Sequence, residues 1–219
     1  MPTTLGADAF LGQYTWYDDG WAGGMRLWAA GSGQLAGRYT SYRFGTTHPV
    51  SARTTGPPHE IQLDIQDFNG LAAQRFTGYP ADRSGALIAG VTEWRDERYG
   101  FYADRGLPRA LPAFRAGDAV PADFAGTHVL RRAGGPATVE LAHDGGRRLV
   151  GHWRHRDGDC AEVDGEVDPA DPLLVRLTLR AAAADATLTG RLFSRPKNVV
   201  AGWMDVAGAR AGCYLMRIG

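Results

Sequence analysis

Hydrophobic and polar residues alternate along most of the chain, which is the pattern of β-strands that bury one face. In residues 61–66, isoleucine and leucine alternate with glutamine and aspartate. In residues 175–180, valine and leucine alternate with arginine and threonine. The sequence sustains no helical period of comparable length, so the pattern predicts an all-β fold.

Turn-forming residues divide this pattern into two sets of about eight short strands. The separators are rich in glycine, proline and aspartate, as at residues 55–58 and 169–172. In the first half of the chain the predicted strands are 12–18, 24–30, 34–43, 48–55, 59–68, 72–80, 86–95 and 97–104. In the second half they are 126–132, 136–143, 147–156, 160–167, 173–180, 186–194, 198–206 and 210–218.

Five glycines of the first half reappear in the second half at an almost constant spacing of 112 or 114 residues. The pairs are Gly12 and Gly126, Gly37 and Gly151, Gly78 and Gly190, Gly90 and Gly202, and Gly100 and Gly212. This repeat indicates a duplicated domain, and we interpret the shared glycines as a requirement of tightly coiled strands. We predict an N-terminal domain over 8–104, a linker over 105–124 and a C-terminal domain over 125–219.

Short antiparallel strands leave open edges unless the sheet closes. Around eight strands close into an up-and-down barrel with room for one small ligand. We therefore expect two tandem eight-stranded antiparallel up-and-down β-barrels, with a two-layer sandwich as the alternative. The barrels are expected to pack on each other within the chain, and the question of a homodimer stays open. One candidate packing surface is the outer face of Gln62, Asp64, Gln66 and Phe68.

The balance of charges argues against a nucleic-acid partner. The 24 basic and 24 acidic residues cancel at pH 7, whereas a nucleic-acid-binding protein needs a basic face. The first ten residues lack the basic and apolar segments of a signal peptide, and no apolar run approaches the roughly 20 residues that span a membrane. We expect a cytoplasmic protein with neither a nucleic-acid nor a membrane partner.

Five short motifs stand in order in the first unit: Trp16-Tyr17-Asp18, Gly37-Arg38-Tyr39-Thr40-Ser41, Phe76-Thr77-Gly78, Thr92-Glu93-Trp94 and Gly100-Phe101-Tyr102. Together they resemble the motifs of the avidin and streptavidin barrels, which belong to the wider calycin group. The motifs of that family are Trp-Tyr-Asn, Gly-Thr-Tyr-x-Ser, Trp-Ser-Gly, Thr-Gln-Trp and Gly-His-Asp. The second unit shares the glycines but few of the motifs.

The resemblance implies a ligand pocket inside the first barrel, bounded by aromatic and polar side chains. The candidate ligand-binding residues are Trp16, Asp18, Tyr39, Ser41, Gln74, Phe76, Trp94 and Tyr102. Strand alternation independently places several of them on one face. A small-ligand site needs such apolar walls with a few polar groups that fix orientation. The alternative is that the aromatic residues form ordinary core and that the tyrosines bond to backbone or water.

Two departures from the family's motifs change the expected ligand. Asp18 replaces an asparagine that donates to the ureido oxygen of biotin, and an ionised carboxylate has no donor. Tyr102 replaces an aspartate that accepts a ureido N–H. We therefore expect weak or no biotin binding, and a different small, partly hydrophobic ligand.

Asp18 is also the candidate acid or base of a cofactor-independent cyclase or isomerase, with Tyr39 and Tyr102 as hydrogen-bond donors to a developing enolate. Burial inside an aromatic barrel would raise the pKa of Asp18, and hydrogen bonds would lower it. The alternative is that Asp18 caps the turn at Asp19 and Gly20.

The sequence predicts no cofactor and no metal site. His152 and His155 lie three residues apart on one predicted strand, so their side chains point to opposite faces and cannot easily share a metal ion. Cys160 and Cys213 are expected to be free, mostly buried thiols, with a disulfide as the alternative.

In the second unit, Leu130 stands where Trp16 stood, Arg132 stands where Asp18 stood, and Val206 stands where Trp94 stood. The loss of the aromatic and acidic residues predicts a scaffold or a filled barrel. The alternative is a second pocket of opposite charge. A structural module in which both barrels are filled is the third interpretation of the whole chain.

Overall fold

The computed structural model describes residues 5–55, 59–66, 73–107, 115, 117–158, 160–180 and 184–218. It contains two closed barrels of eight antiparallel strands each. The strands of the first barrel are β1 Gly12–Asp18, β2 Trp21–Gly31, β3 Gln34–Ser41, β4 Thr47–Thr54, β5 Ile61–Ile65, β6 Gln74–Pro80, β7 Leu87–Trp94 and β8 Glu97–Asp104. Those of the second are β9 Gly126–Arg131, β10 Ala137–His143, β11 Arg148–His155, β12 Cys160–Val167, β13 Leu174–Arg180, β14 Ala186–Leu192, β15 Val199–Val206 and β16 Ala209–Arg217.

Each strand pairs with the next one along the chain, and the last strand of each barrel pairs with the first. In the first barrel Thr15 of β1 lies opposite Asp104 of β8. In the second, Leu130 of β9 lies opposite Leu215 of β16. The predicted all-β fold with two tandem up-and-down barrels is confirmed, and the sandwich alternative is wrong. Closure removes the unpaired edges that the short strands would otherwise expose.

A single turn of 3-10 helix closes one end of each barrel. The turn Ala7–Phe10 buries Phe10 in the core of the first barrel. The turn Pro121–Phe124 lies within the predicted linker and buries Phe124 in the core of the second. Arg105 donates to the carbonyl oxygens of Ala9 and Leu11 at 2.8 Å. Arg217 donates to those of Asp123 and Ala125, so each turn is held by one arginine from the last strand region.

The two barrels bury their outer faces against each other along β6–β8 and β14–β16. The aromatic residues in this contact include Tyr17, Tyr102, Phe193 and Tyr214. The rings of Tyr102 and Tyr214 stack with centroids 4.1 Å apart. The expected packing surface at Gln62, Asp64 and Gln66 is wrong, because Gln62 bonds to Arg53 and Asp64 to Arg75 on the exposed outer surface. Phe68 lies outside the described residues.

Two of the repeated glycines lie where the backbones of the two barrels meet. A Cβ atom on Gly100 would lie 2.8 Å from the carbonyl oxygen of Arg191 and 3.1 Å from that of Ala201. A Cβ atom on Gly212 would lie 2.0 Å from the carbonyl oxygen of Tyr79 and 2.8 Å from the nitrogen of Ala89.

Gly212 stands 112 residues after Gly100, and Arg191 and Ala201 stand 112 residues after Tyr79 and Ala89. Each glycine therefore meets the repeat equivalents of the residues that the other glycine meets, so the contact has an internal two-fold symmetry. The interpretation of the repeated glycines as a requirement of strand coiling is therefore incomplete. This pair is needed for the packing of one barrel on the other.

Cys213 is buried and Cys160 is exposed, and both thiols are free. The disulfide alternative is therefore wrong, and so is the expectation that both thiols are mostly buried. Within the described ranges, no helix is long and apolar enough to cross a membrane.

Candidate functional site

The first barrel has a cavity of about 580 Å³ at the end opposite Phe10. The ends of β1, β3 and β7 and the start of β8 surround it, together with the loop between β14 and β15 of the second barrel. The lining residues are Asp18, Asp19, Trp21, Tyr39, Ser41, Phe44, Ile65, Gln66, Gln74, Trp94, Arg95, Glu97, Tyr99, Ser194 and Arg195.

Asp18 is the only carboxyl group at the floor of this cavity among the described lining residues, and it is buried. Its Oδ2 atom accepts a hydrogen bond from Nε2 of Gln74 at 3.0 Å. The same nitrogen donates to Oγ1 of Thr92 at 3.1 Å, and Thr92 donates to the carbonyl oxygen of Arg75 at 2.8 Å. Burial raises the pKa of Asp18 to about 7, against the hydrogen bond from Gln74 and with a smaller contribution from the charge of Asp19.

Tyr39 and Ser41 bring two hydroxyl groups to the same cavity from β3. Burial and the neighbouring charge of Asp18 raise the pKa of Tyr39, so its hydroxyl stays protonated over the whole physiological range. The ring of Tyr39 lies where a side chain on Gly23 would be, because a Cβ atom there would lie 2.2 Å from Cε2 of Tyr39. Oγ of Ser41 accepts the backbone N–H of Phe44 at 3.3 Å, which fixes the start of the β3–β4 turn.

Aromatic side chains with arginines over their faces form the rim of the cavity. The rings of Trp21 and Phe44 lie 5.6 Å apart. The guanidinium of Arg43 lies 4.8 Å from the ring centroid of Trp21, and that of Arg195 lies 5.4 Å from it. Arg95 lies 5.4 Å from the ring centroid of Trp94. These distances are within the range of cation–π attraction.

The second barrel reaches the cavity through one loop. Asp19 accepts the backbone N–H of Ser194 at Oδ1 and its hydroxyl at Oδ2, the latter at 2.7 Å. Asp19 has a positive φ of 41°, which suits an aspartate at a turn after a strand. Burial raises the pKa of Asp19 against these hydrogen bonds. Ser194 and Arg195 are thus held at the rim by a buried carboxylate of the first barrel.

Five of the eight sequence-predicted site residues line the cavity: Asp18, Tyr39, Ser41, Gln74 and Trp94. Trp16 and Phe76 point into the barrel but lie in its packed core. The ring centroid of Trp16 lies 5.0 Å from that of Phe76 and 4.7 Å from that of Phe101. These rings support the floor of the cavity from below.

Tyr102 lies outside the first barrel's interior, in contrast to its predicted place in the pocket. Its ring packs between the barrels against Tyr17 and Tyr214. The inward residues of β8 are Tyr99 and Phe101, since Thr92 lies opposite Tyr99 in the register. Tyr99 lines the cavity and donates its hydroxyl to Glu97. Strict alternation along β8, read from Phe101, would have identified Tyr99 instead of Tyr102.

Of the rim residues, only Trp94 was predicted from the sequence. Trp21 is the first residue of β2, directly after the turn that follows β1, and Phe44 lies in the turn that follows β3. A search of these two turns and the residues beside them for aromatic side chains would have found both. Ser194 and Arg195 carry no such signal, because their contact with Asp19 joins positions 175 residues apart.

The equivalent end of the second barrel has a different composition. The guanidinium of Arg132 lies 5.0 Å from the ring centroid of Trp153, which belongs to the hydrophobic core. Nε2 of His155 lies 3.0 Å from the carbonyl oxygen of Gly134 in the neighbouring hairpin turn. Met204 and Cys213 complete the interior near these residues. The interior of the second barrel is therefore packed mainly with aliphatic side chains.

In the part of the chain that the structure describes, no three histidine, cysteine, aspartate or glutamate side chains are grouped so that they could hold a metal ion. Comparison of the chain with protein-family models, with curated proteins and with solved structures gave no match.

Proposed function

We propose that this protein binds a small, partly hydrophobic molecule in the first barrel, in the manner of the avidin-like barrels that its motifs resemble. The observation that carries the proposal is the cavity at the open end of that barrel, with Asp18 at its floor. Apolar walls with a few polar groups are what a small-ligand site requires. Gln74, Tyr39 and Ser41 supply those polar groups.

Biotin is not the ligand we propose. The residue that would have contacted the ureido ring from β8, Tyr102, lies between the barrels. Glu97 and Tyr99 contribute to the cavity from that strand instead. The polar groups at the floor therefore differ from those in the family's motif in position as well as in type.

The proposal is tested with a neutral fluorescent probe, N-phenyl-1-naphthylamine, whose emission rises in apolar sites. The probe is expected to bind, and Trp94→Ala should weaken its binding about tenfold because the variant removes one wall of the cavity. Val206→Ala is the matched control, since Val206 occupies the equivalent position of the second barrel. Binding that is insensitive to Trp94→Ala, or absent, would overturn the proposal.

A second candidate function is a cofactor-independent isomerase or cyclase, and the pKa of Asp18 near 7 favours it. A carboxyl group with that pKa takes up and returns a proton readily at neutral pH. It would remove a proton from a carbon beside a carbonyl group and return it to another carbon, while Tyr39 donates to the enolate oxygen. Asp18→Asn should abolish turnover in an enzyme, whereas in a binding protein it changes affinity only.

A further inference from the structure

We propose that the ligand of the first barrel carries a basic nitrogen group, such as an amidinium, a guanidinium or an ammonium, and that Asp18 at the floor of the cavity is its counterion. The inference rests on the proposed function, because it names the chemical class of the molecule that the cavity binds. It also gives the floor carboxyl a role in binding that requires no catalytic step.

The first argument is that Asp18 lacks a positively charged partner among the described residues. Its side chain is buried, and none of the ion pairs in the described part of the chain includes it. Its donors are the side-chain amide of Gln74, at 3.0 Å, and its own backbone N–H. The charge of Asp19, which has the same sign, also acts on it. A buried carboxylate needs a cation or several donors to compensate for its lost hydration, and a cationic ligand supplies that compensation.

The second argument is the orientation of the amide beside Asp18. Nε2 of Gln74 donates both to Asp18 and to Oγ1 of Thr92. Thr92 is buried and donates its own proton to the carbonyl oxygen of Arg75. These bonds hold the amide nitrogen toward Asp18, and the amide oxygen of Gln74 accepts no hydrogen bond from the described residues. The floor therefore offers a carboxylate and a carbonyl oxygen as acceptors, which suits a charged group with several N–H donors.

The third argument is the balance of charge around the cavity. Among its described lining residues, the charged groups other than Asp18 lie at the mouth: the carboxylates of Asp19 and Glu97 and the guanidinium groups of Arg95 and Arg195. Both carboxylates keep their charge, because the groups that donate to them are neutral. The charge of Arg195 acts on Asp19. Within this set the ionised Asp18 is therefore the charge that the others do not balance, and a cation at the floor neutralises it.

The fourth argument is the aromatic surface around the carboxyl. The charge of Asp18 acts on Tyr39, and Trp94 lines the same cavity. The faces of aromatic rings attract cations, and arginines already stack on two of the rings at the rim. The positive end of the ligand thus meets a carboxylate and aromatic rings together, while Trp21 and Phe44 offer apolar surface to its body.

The second barrel provides an internal comparison, because it places a cation of its own at the equivalent position. Arg132 and Trp153 stand 114 residues after Asp18 and Tyr39. The guanidinium of Arg132 lies 5.0 Å from the ring centroid of Trp153. The repeat therefore accommodates a cation beside an aromatic ring at this place. In the first barrel the charge of the side chain is reversed and a cavity lies beside it, so the cation has to come from a ligand.

The experiment compares two naphthalene probes of nearly the same shape, the cationic naphthalene-2-carboxamidine and the neutral naphthalene-2-carboxamide, by isothermal titration calorimetry at pH 8. The parent protein should bind the amidine about 10- to 100-fold more tightly, as charge-assisted hydrogen bonds require. Asp18→Asn should remove this preference without weakening the binding of the amide. Asp64→Asn is the matched control, because it removes the same charge from the exposed surface of the same barrel, and it should leave the preference unchanged.

The number of protons released on binding tests the counterion directly. Because the pKa of Asp18 is about 7, about half of these carboxyl groups are protonated at pH 7. Pairing with an amidinium should therefore release about half a proton per molecule bound, measured by titration in two buffers with different enthalpies of ionisation. Asp18→Asn should release none. Besides the four charged groups of the mouth, the titratable groups around Asp18 are Tyr39, His48 and Tyr99, and all of them are still present in the variant.

The possible outcomes separate this inference from the proposed function. If N-phenyl-1-naphthylamine binds and depends on Trp94, but the amidine has no advantage over the amide, the counterion is wrong and the ligand cavity stands. The same holds if Asp18→Asn keeps the advantage or the proton release. If none of the three probes binds, both proposals are overturned. Thermal unfolding checks that each variant is folded, and the proton count on the parent protein decides the question without any variant, because binding of the amidine with no release at pH 7 would contradict the pairing.

Discussion

The two barrels have the same strand order, but the side chains that point inward at one end differ in type between them. The first barrel places polar or aromatic side chains at six inward positions: Asp18, Tyr39, Ser41, Gln74, Thr92 and Trp94. At the same positions the second barrel has Arg132, Trp153, His155, Ala186, Met204 and Val206. Five of the first set line a cavity, and the sixth, Thr92, accepts a hydrogen bond from Gln74. Three of the second set, Trp153, Ala186 and Met204, belong to a packed core. A few residues near one end therefore decide whether this barrel is open or filled.

The inter-barrel contact shows the reverse relation, because here the two copies are alike. Gly100 and Gly212 occupy matching places, and each lies against the backbone of the other barrel. Tyr102 and Tyr214 stack on one another between the barrels. The duplicated sequence thus retains this glycine pair and this tyrosine pair of the contact, while the residues around the cavity differ.

The largest effect is expected from a change at this shared contact. Gly212→Ala would place a Cβ atom 2.0 Å from the carbonyl oxygen of Tyr79, and backbone atoms cannot move aside as a flexible side chain can. We expect the free energy of unfolding to fall by at least about 4 kcal/mol, measured by urea denaturation. Gly100→Ala should have the same sign and a smaller effect, since its nearest atom is 2.8 Å away.

Gly6→Ala is the control for these variants, because a Cβ atom on Gly6 would meet nothing within 4 Å. Its free energy of unfolding should match that of the parent within about 0.5 kcal/mol. A loss below about 1 kcal/mol in Gly212→Ala would contradict the close contact between the barrels.

The strands of the barrels could be predicted from the sequence because the alternation of hydrophobic and polar residues shows which side chains point inward and which point outward. Ile61, Leu63 and Ile65 are buried as the pattern requires. The error at Tyr102 arose where a family motif was preferred to that alternation, which places Phe101 inside and Tyr102 outside. The 3-10 turn before the second barrel could also have been predicted from the repeat, since Phe10 and Phe124 are 114 residues apart, as Gly12 and Gly126 are.

The rest of the site depends on how the two barrels are placed, and single-strand patterns do not contain that information. Arg195 reaches the cavity because its neighbour Ser194 bonds to Asp19. Arg83, in the equivalent loop, lies elsewhere. Two arginines with the same local position therefore differ in whether they line the cavity, and that difference comes from the packing of one barrel on the other.

The next largest effect concerns the charge at the floor of the first cavity. Because the pKa of Asp18 is raised to about 7, the folded protein binds more protons than the unfolded chain between about pH 4 and pH 7. The free energy of unfolding must therefore fall as pH rises through this window. Asp18→Asn removes this loss, so at pH 8 the variant should be more stable than the parent by up to about 4 kcal/mol.

Comparison of the variant with the parent separates the effect of Asp18 on the pH dependence of stability from the effects of two other groups whose pKa values are shifted. The pKa of Asp19 is also raised, while burial lowers the pKa of His128 to about 4, and both residues are still present in the variant. Arg132→Gln, at the equivalent place in the second barrel, should differ from its parent by an amount that is constant from pH 4 to pH 8. A stability difference for Asp18→Asn that is equally flat would show that the floor carboxyl is not desolvated.

The smallest effect tests a bond that exists on one side of the internal two-fold axis only. Asp19 and Ser194 are joined across the barrels, whereas the positions related to them by the repeat are Ala133 and Asp82. Ala133 has no side-chain acceptor, and Asp82 bonds to Ser84 in its own loop. In a double-mutant cycle, Asp19→Asn and Ser194→Ala should show a coupling of about 1 kcal/mol by urea denaturation.

Asparagine is chosen at position 19 because it tolerates the positive φ of that residue. The parallel cycle of Asp19→Asn with Asp82→Ala should show no coupling beyond about 0.3 kcal/mol, since these residues do not touch. Equal coupling in the two cycles would mean that the loop of the second barrel is held at the cavity by general packing, and that the bond to Asp19 does not distinguish the two barrels.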